Sequence, residues 1–128
     1  MQTPNASVIP KRAVPPRIED DAWARMRFRN LVDARCAPGM GIVQGTARFA
    51  PGEGEALHSH PIGETAHVLT GGGTVTLDGA QRSVEPGDTV VAPAGTVHGW
   101  QAGPAALEIL YTFPADDFDA IEYRYVDP

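Results

Sequence analysis

The chain has 128 residues and a formal net charge of −6, with one cysteine, fourteen glycines and twelve prolines. That length holds one domain, and the acidic balance argues against a nucleic-acid partner or an anionic membrane. The single Cys36 excludes an internal disulfide framework and a cysteine-cluster zinc site, and no apolar run approaches the roughly 20 residues of a membrane span.

The start, Met1-Gln2-Thr3-Pro4-Asn5, lacks the charged-then-apolar layout of a secretory signal, so a cytoplasmic protein is expected. Charge is unevenly spread: residues 1–35 carry seven basic and four acidic groups, net +3, and residues 36–128 carry three and twelve, net −9. Pro4, Pro10, Pro15 and Pro16 remove donors and restrict their neighbours, which predicts an extended arm over residues 1–22. From Trp23 the period becomes two. Ala24, Met26 and Phe28 alternate with Arg25, Arg27 and Arg29, as on a half-buried strand. Residues 40–50 read as a second strand, ended by Pro51-Gly52. Short β-prone runs follow at 58–60, 65–70, 74–77, 80–84, 89–92, 96–101 and 106–113, separated by glycine and proline turns. Among these, Asp78-Gly79 is a two-residue hairpin signal, and Gly71-Gly72-Gly73 reads as a turn. Such spacing predicts an all-β sandwich or barrel over residues 23–113. In the tail, 114–128, one turn at 116–119 precedes a last alternating row of Ile121, Tyr123 and Tyr125.

The chemistry lies in the histidines. His58 and His60 are two apart, so on a strand both rings project to one face. Glu64 follows across Pro61-Ile62-Gly63, and His98 opens a later strand after a Pro-x-Gly turn. Three imidazoles and a carboxylate on neighbouring strands suit one first-row divalent metal. His67 falls on the opposite face of its strand and points away from that centre.

Gly52, five residues, His58-x-His60, three residues, Glu64, six residues and Gly71 resemble the first motif of the cupin superfamily at every position. Gly87, five residues, Pro93-x-Gly95, two residues and His98 resemble the second, fifteen residues further on. One place departs: Ala102 stands where the second motif usually ends in asparagine. The resemblance implies a small single-domain metal-binding cupin: a jelly-roll barrel, or double-stranded β-helix, usually dimeric. It implies His58, His60, Glu64 and His98 as ligands of one divalent transition metal, with iron, manganese, zinc and nickel left open.

Face counting from the ligands gives the substrate-pocket candidates. Ala66 and Val68 flank Glu64, Thr96 and Trp100 share the face of His98, and the row Leu107, Ile109, Tyr111 and Phe113 is the expected cavity wall. Trp100 is weighed evenly between core filling and substrate stacking. The three arginines read as a solvated or edge-protecting row, and Cys36 as a small buried apolar residue.

Cupins with this ligand set include dioxygenases, isomerases, decarboxylases and lyases, so a metalloenzyme acting on a small organic molecule is expected. A non-catalytic small-ligand binder or sensor is the alternative, and a metal-free epimerase-like or storage role is disfavoured by the intact ligand set. Lyases of the dimethylsulfoniopropionate type carry a tyrosine two residues after the glutamate, where this chain has Ala66, which disfavours that subclass. Small cupins acting on cyanohydrins resemble the His-x-His-Pro-x-Gly stretch but carry glutamine at the place of Glu64. Unpaired strand edges in both terminal segments predict a homodimer, with residues 8–30 or 118–126 against the partner and Trp23, Thr65, His67 and Leu69 as buried contacts.

Overall fold

In a computed structural model, which describes residues 5–126, the chain forms nine strands and two single 3-10 turns, Lys11–Ala13 and Phe118–Ala120. The strands are β1 (Arg17–Asp20), β2 (Arg25–Val32), β3 (Val43–Phe49), β4 (Gly54–Ser59), β5 (Glu64–Leu77), β6 (Ala80–Val84), β7 (Thr89–Ala92), β8 (His98–Phe113) and β9 (Arg124–Tyr125). Residues 1–4 of the expected arm and 127–128 of the expected tail lie outside the described residues. Among the described residues, no helix is long and apolar enough to cross a membrane.

The all-β expectation holds. β5 and β8 lie antiparallel along almost their whole length and form the spine of one curled sheet, a half-barrel. β7 and β6 pair with the two halves of β5, while β3 and β4 pair with the two halves of β8. β2 and β1 extend the sheet beyond β3, and β9 closes the other side on β4. The alternation that marks each strand sends one row inward, so Phe49, Phe113, Leu107, Val43, Val68 and Val75 are almost fully buried on the concave side.

The hairpin at Asp78-Gly79 forms as its sequence predicts. Both residues have positive φ, +46° and +87°, which a type I′ turn requires. By contrast, Gly71-Gly72-Gly73 is not a turn: β5 runs through it, and likewise β8 joins the runs expected at 96–101 and 106–113. The cause is a close approach of two backbones. A Cβ on Gly71 (φ +78°) would stand 1.7 Å from the Ala106 carbonyl oxygen, so the glycine lets β5 bend against β8 without leaving it. Register slips on either side, between Val68 and Thr70 and between Gly71 and Gly73, mark the bulges that produce the bend.

Cys36 also departs from expectation, because it is exposed rather than buried. After β2 the chain turns around Asp33, which is 2 % exposed and occupies the inward place. The Cys36 thiol is left outside, 3.3 Å from the Leu31 carbonyl oxygen. In the arginine row, Arg25 pairs with Asp20 at 3.2 Å and Arg29 donates to the Val14 carbonyl at 3.0 Å. Arg29 thus ties the segment before β1 to β2. β1 pairs with β2 and β9 with β4 of the same chain.

Candidate metal centre

Three strand ends deliver the histidines to one place. His58 on β4 is paired across the sheet with His98 at the start of β8, and His60 follows one residue beyond the end of β4. All three are buried, at 1–2 % exposure, which is unusual for histidine and calls for polar partners. Each finds a carbonyl two residues away: His58 Nδ1 lies 2.8 Å from the Ala56 oxygen, His60 Nδ1 2.7 Å from that of Ile62 and His98 Nδ1 2.8 Å from that of Thr96. A carbonyl only accepts, so each Nδ1 carries the proton and each Nε2 offers its lone pair to the interior. The three residues present ligand atoms within 4.8 Å of one another.

Glu64, at the start of β5, lies against two of the three rings. Its Oε1 is 3.1 Å from both His60 Nε2 and His98 Nε2. Two ring nitrogens with lone pairs facing one carboxylate oxygen need a cation among them, a proton or a metal. The three histidines could hold a metal ion, with the Glu64 oxygen beside two of them. Where protons between them supply that cation, the hydrogen bonds from His60 and His98 outweigh the burial that alone would raise the Glu64 carboxyl, and hold it below the usual range. His98 shows the converse: burial lowers it, and the bond to Glu64 more than offsets the loss, so it is raised. His58 has no such bond, and burial with the charge on His98 pushes it down to about 4.

The group stands beside a cavity of about 30 Å³, with room for one or two waters. Trp100, Ile109, Tyr111 and Phe113 line it, and Leu107 is fully buried in the core. Ala66 and Val68 are packed into the core beside it, at 2 % and 1 % exposure. Thr96 sits in the turn before β8, its hydroxyl donating to the Pro93 carbonyl at 2.7 Å. His67 points away from the centre, with Nδ1 2.9 Å from the Thr89 hydroxyl oxygen.

Two groups at the cavity escape the sequence reading. Glu55 Oε1 lies 3.8 Å from His58 Nε2, with the side chain 9 % exposed. Strand alternation places residues three apart on opposite faces, but the register slips between Glu55 and His58, so both face inward. Burial, with the Glu64 charge nearby, pushes the Glu55 carboxyl up to about 8. The second group is Tyr123. β9 docks on β4 with Tyr125 opposite His58, and this brings the preceding Tyr123 ring over His58, with centroids 5.3 Å apart and planes 17° apart. The same ring stands edge-on to His60 at 5.4 Å. The aromatic alternation of 121–125 was the available signal, but nothing local indicates where that row docks.

Residues 45–113 match the family model Cupin_2, described as a cupin domain. Dimethylsulfoniopropionate lyase DddW of Ruegeria pomeroyi is 35 % identical over 106 residues, which cover 83 % of this chain and 70 % of that one. (R)-mandelonitrile lyase of Granulicella tundricola is 37 % identical over 70 residues, 53 % of each chain. Among solved structures, the polyketide cyclase RemF from Streptomyces resistomycificus superposes with a TM-score of 0.81 at 22 % identity, covering 97 % of this chain and 87 % of that one, a likeness of fold.

Proposed function

This chain belongs to the Cupin_2 family, and on that premise we propose that it is a metal-dependent lyase acting on a small polar organic molecule. The observation that carries this reading is the convergence of three carbonyl-anchored histidines, with Glu64 against two of them, beside a small cavity. Two curated relatives that are named as lyases support the reaction class. A divalent metal held by His58, His60, His98 and Glu64 would supply Lewis acidity toward a substrate oxygen, acidifying the C–H bond beside a carboxylate whose β leaving group departs, or the hydroxyl of a cyanohydrin from which cyanide departs.

The chain's own groups do the rest. The backbone carbonyls of Ala56, Ile62 and Thr96 hold the three rings in one tautomer and orientation. Phe28, Phe113 and Trp100 keep bulk water from the reacting end. Proton movement falls to the Tyr123 hydroxyl and the Glu55 carboxyl, which line the cavity. Ala66 occupies the place where lyases of the dimethylsulfoniopropionate type carry a tyrosine, and Tyr123, arriving from the tail, is the phenol that stands over His58 and His60.

The test is turnover of dimethylsulfoniopropionate and of mandelonitrile by metal-loaded protein, read as released volatile sulfide or aldehyde. At least one is expected to react, with activity abolished by His98→Ala and reduced about 10²–10⁴-fold by Tyr123→Phe. Binding of both without turnover would replace the lyase by a small-ligand binding cupin. Undiminished turnover in Tyr123→Phe would remove the phenol from the mechanism.

A further inference from the structure

The three histidines are only 1–2 % exposed, and the 30 Å³ cavity beside them has room for one or two waters. A hydrated divalent cation carries about six. A cation therefore reaches the histidines only when part of the wall moves. We propose that residues 117–126 are that part: a strap over the metal centre, latched by Asp119 between Arg17 and Arg35. The inference rests on the reading above only in naming a metal ion as what the strap admits.

The strap supplies the rings that cover the site. Tyr123 lies over His58 at 5.3 Å and edge-on to His60 at 5.4 Å. Phe118 packs on Phe28 and Phe113, with centroids 5.5 and 6.4 Å apart. Both rings line the cavity and also a wider opening of about 240 Å³, so they belong to the partition between the two. Yet no residue of 117–126 is fully buried, and the strap's anchors are short. At one end the Asp116 carboxylate accepts from the Gly39 and Gly41 N–H groups at 2.8 and 3.2 Å. At the other, the two residues of β9 pair with Ser59 and His58, and the Val126 N–H donates to the Leu57 carbonyl at 2.9 Å. Segments with so few buried contacts open at low free energy while long ladders such as β5 and β8 stay closed.

Between these anchors, among the described residues, the hydrogen bonds and ion pairs that join residues 117–123 to the rest of the chain all end on Asp119. Its carboxylate accepts from Arg17 Nη1 at 3.0 Å and from Arg35 Nη2 at 2.5 Å. Arg17 lies on β1 and Arg35 in the turn after β2, so one carboxylate bridges two elements. The Arg17 guanidinium also stands over the Phe28 and Phe118 rings, at 5.1 and 5.4 Å, and so steadies the ring beside the latch. The three charged side chains are 39–67 % exposed, so water and salt reach both pairs and each is weak. A contact that must release in every opening has to be of this kind. Glu122, by contrast, pairs with Arg124 at 2.9 Å inside the strap itself.

Metal-free protein mixed with Co²⁺ in a stopped-flow instrument, with uptake read as quenching of tryptophan fluorescence, tests the strap. The wild-type rate should approach a limit as Co²⁺ rises, because opening precedes binding. Asp119→Asn should raise that limit about twofold to thirtyfold, and added sodium chloride should raise it in the wild type but not in Asp119→Asn. Glu122→Gln removes the same charge outside the latch and should leave the limit unchanged. Bound cobalt at equilibrium should be equal in all three proteins. Hydrogen exchange of the amides of residues 118–126, measured on the metal-free proteins, should be faster in Asp119→Asn and unchanged in Glu122→Gln. A wild-type rate proportional to Co²⁺ without limit, or the same rates and exchange in the two variants, would overturn the strap. Absence of cobalt binding alongside the exchange contrast would overturn the metal centre and the ion as what is admitted, and would leave the latch. Turnover enters neither measurement, so failure of the lyase reading is seen separately.

Discussion

Replacing Gly71 by alanine tests how the half-barrel is bent. The new Cβ would lie 1.7 Å from the Ala106 oxygen and 2.7 Å from its carbonyl carbon, where ordinary contact begins at 3.4 Å. Both atoms are backbone, so no side chain can rotate aside and β8 itself must retreat. A left-handed alanine adds about 1–2 kcal/mol, and opening two or three ladder hydrogen bonds adds about 1 kcal/mol each. The sum, about 3–5 kcal/mol, is a large share of ordinary domain stability. At about 4 °C per kcal/mol for a chain of this size, Tm falls by roughly 12–20 °C. Gly72→Ala is the control: its Cβ meets only the Val84 oxygen at 3.2 Å and its φ is not positive, so a loss under about 1 kcal/mol is expected. Thermal denaturation followed by circular dichroism measures both. Equal losses in the two variants, or an unchanged Tm in Gly71→Ala, would refute the close-approach argument and restore the run as a free turn.

Other outcomes follow from single contacts. Tyr111→Phe removes the hydroxyl that donates to Asn30 Oδ1 at 2.5 Å inside the core, leaving that oxygen unpaired, so a loss of about 1–3 kcal/mol is expected in urea denaturation. Asn30→Ala in the same background should cost less than it does alone, since no phenol then lacks its partner. Exposed Cys36 should react with a thiol reagent in the native protein at close to the unfolded rate, with no loss of fold by circular dichroism. For assembly we propose a homodimer through the outer face, where Leu69 and Val91 are 38 % and 61 % exposed. Sedimentation should then give twice the 13.6 kDa chain mass, and Val91→Arg should reduce it to one. A wild-type monomer would overturn that assembly.

The three-histidine group is readable because its geometry is local or framed. His58 and His60 share a face by strand periodicity alone, and the glycines and prolines around Glu64 and His98 fix where those strands begin. Glu55 is hidden for a definite reason: parity excludes it, and only the slip against Trp100 and His98 turns it inward. Tyr123 is hidden because a short strand docks through long-range pairing that its own residues do not specify. A glycine run is ambiguous in the same way, since a turn and a close backbone approach both demand glycine, and the Ala106 carbonyl that decides between them lies 35 residues away. Asp33 takes an inward place that its composition would give to Cys36, because its carboxylate and carbonyl organise the turn after β2.

The central claim is the metal centre, and metal content tests it most directly. Protein purified without chelator or immobilised nickel, then equilibrated with a divalent transition metal and desalted, should hold one metal per chain by inductively coupled plasma mass spectrometry. His67→Ala should hold the same amount and His98→Ala almost none, because only the second removes a converging nitrogen. A wild-type chain that retains no metal, or equal loss in the two variants, would contradict the account.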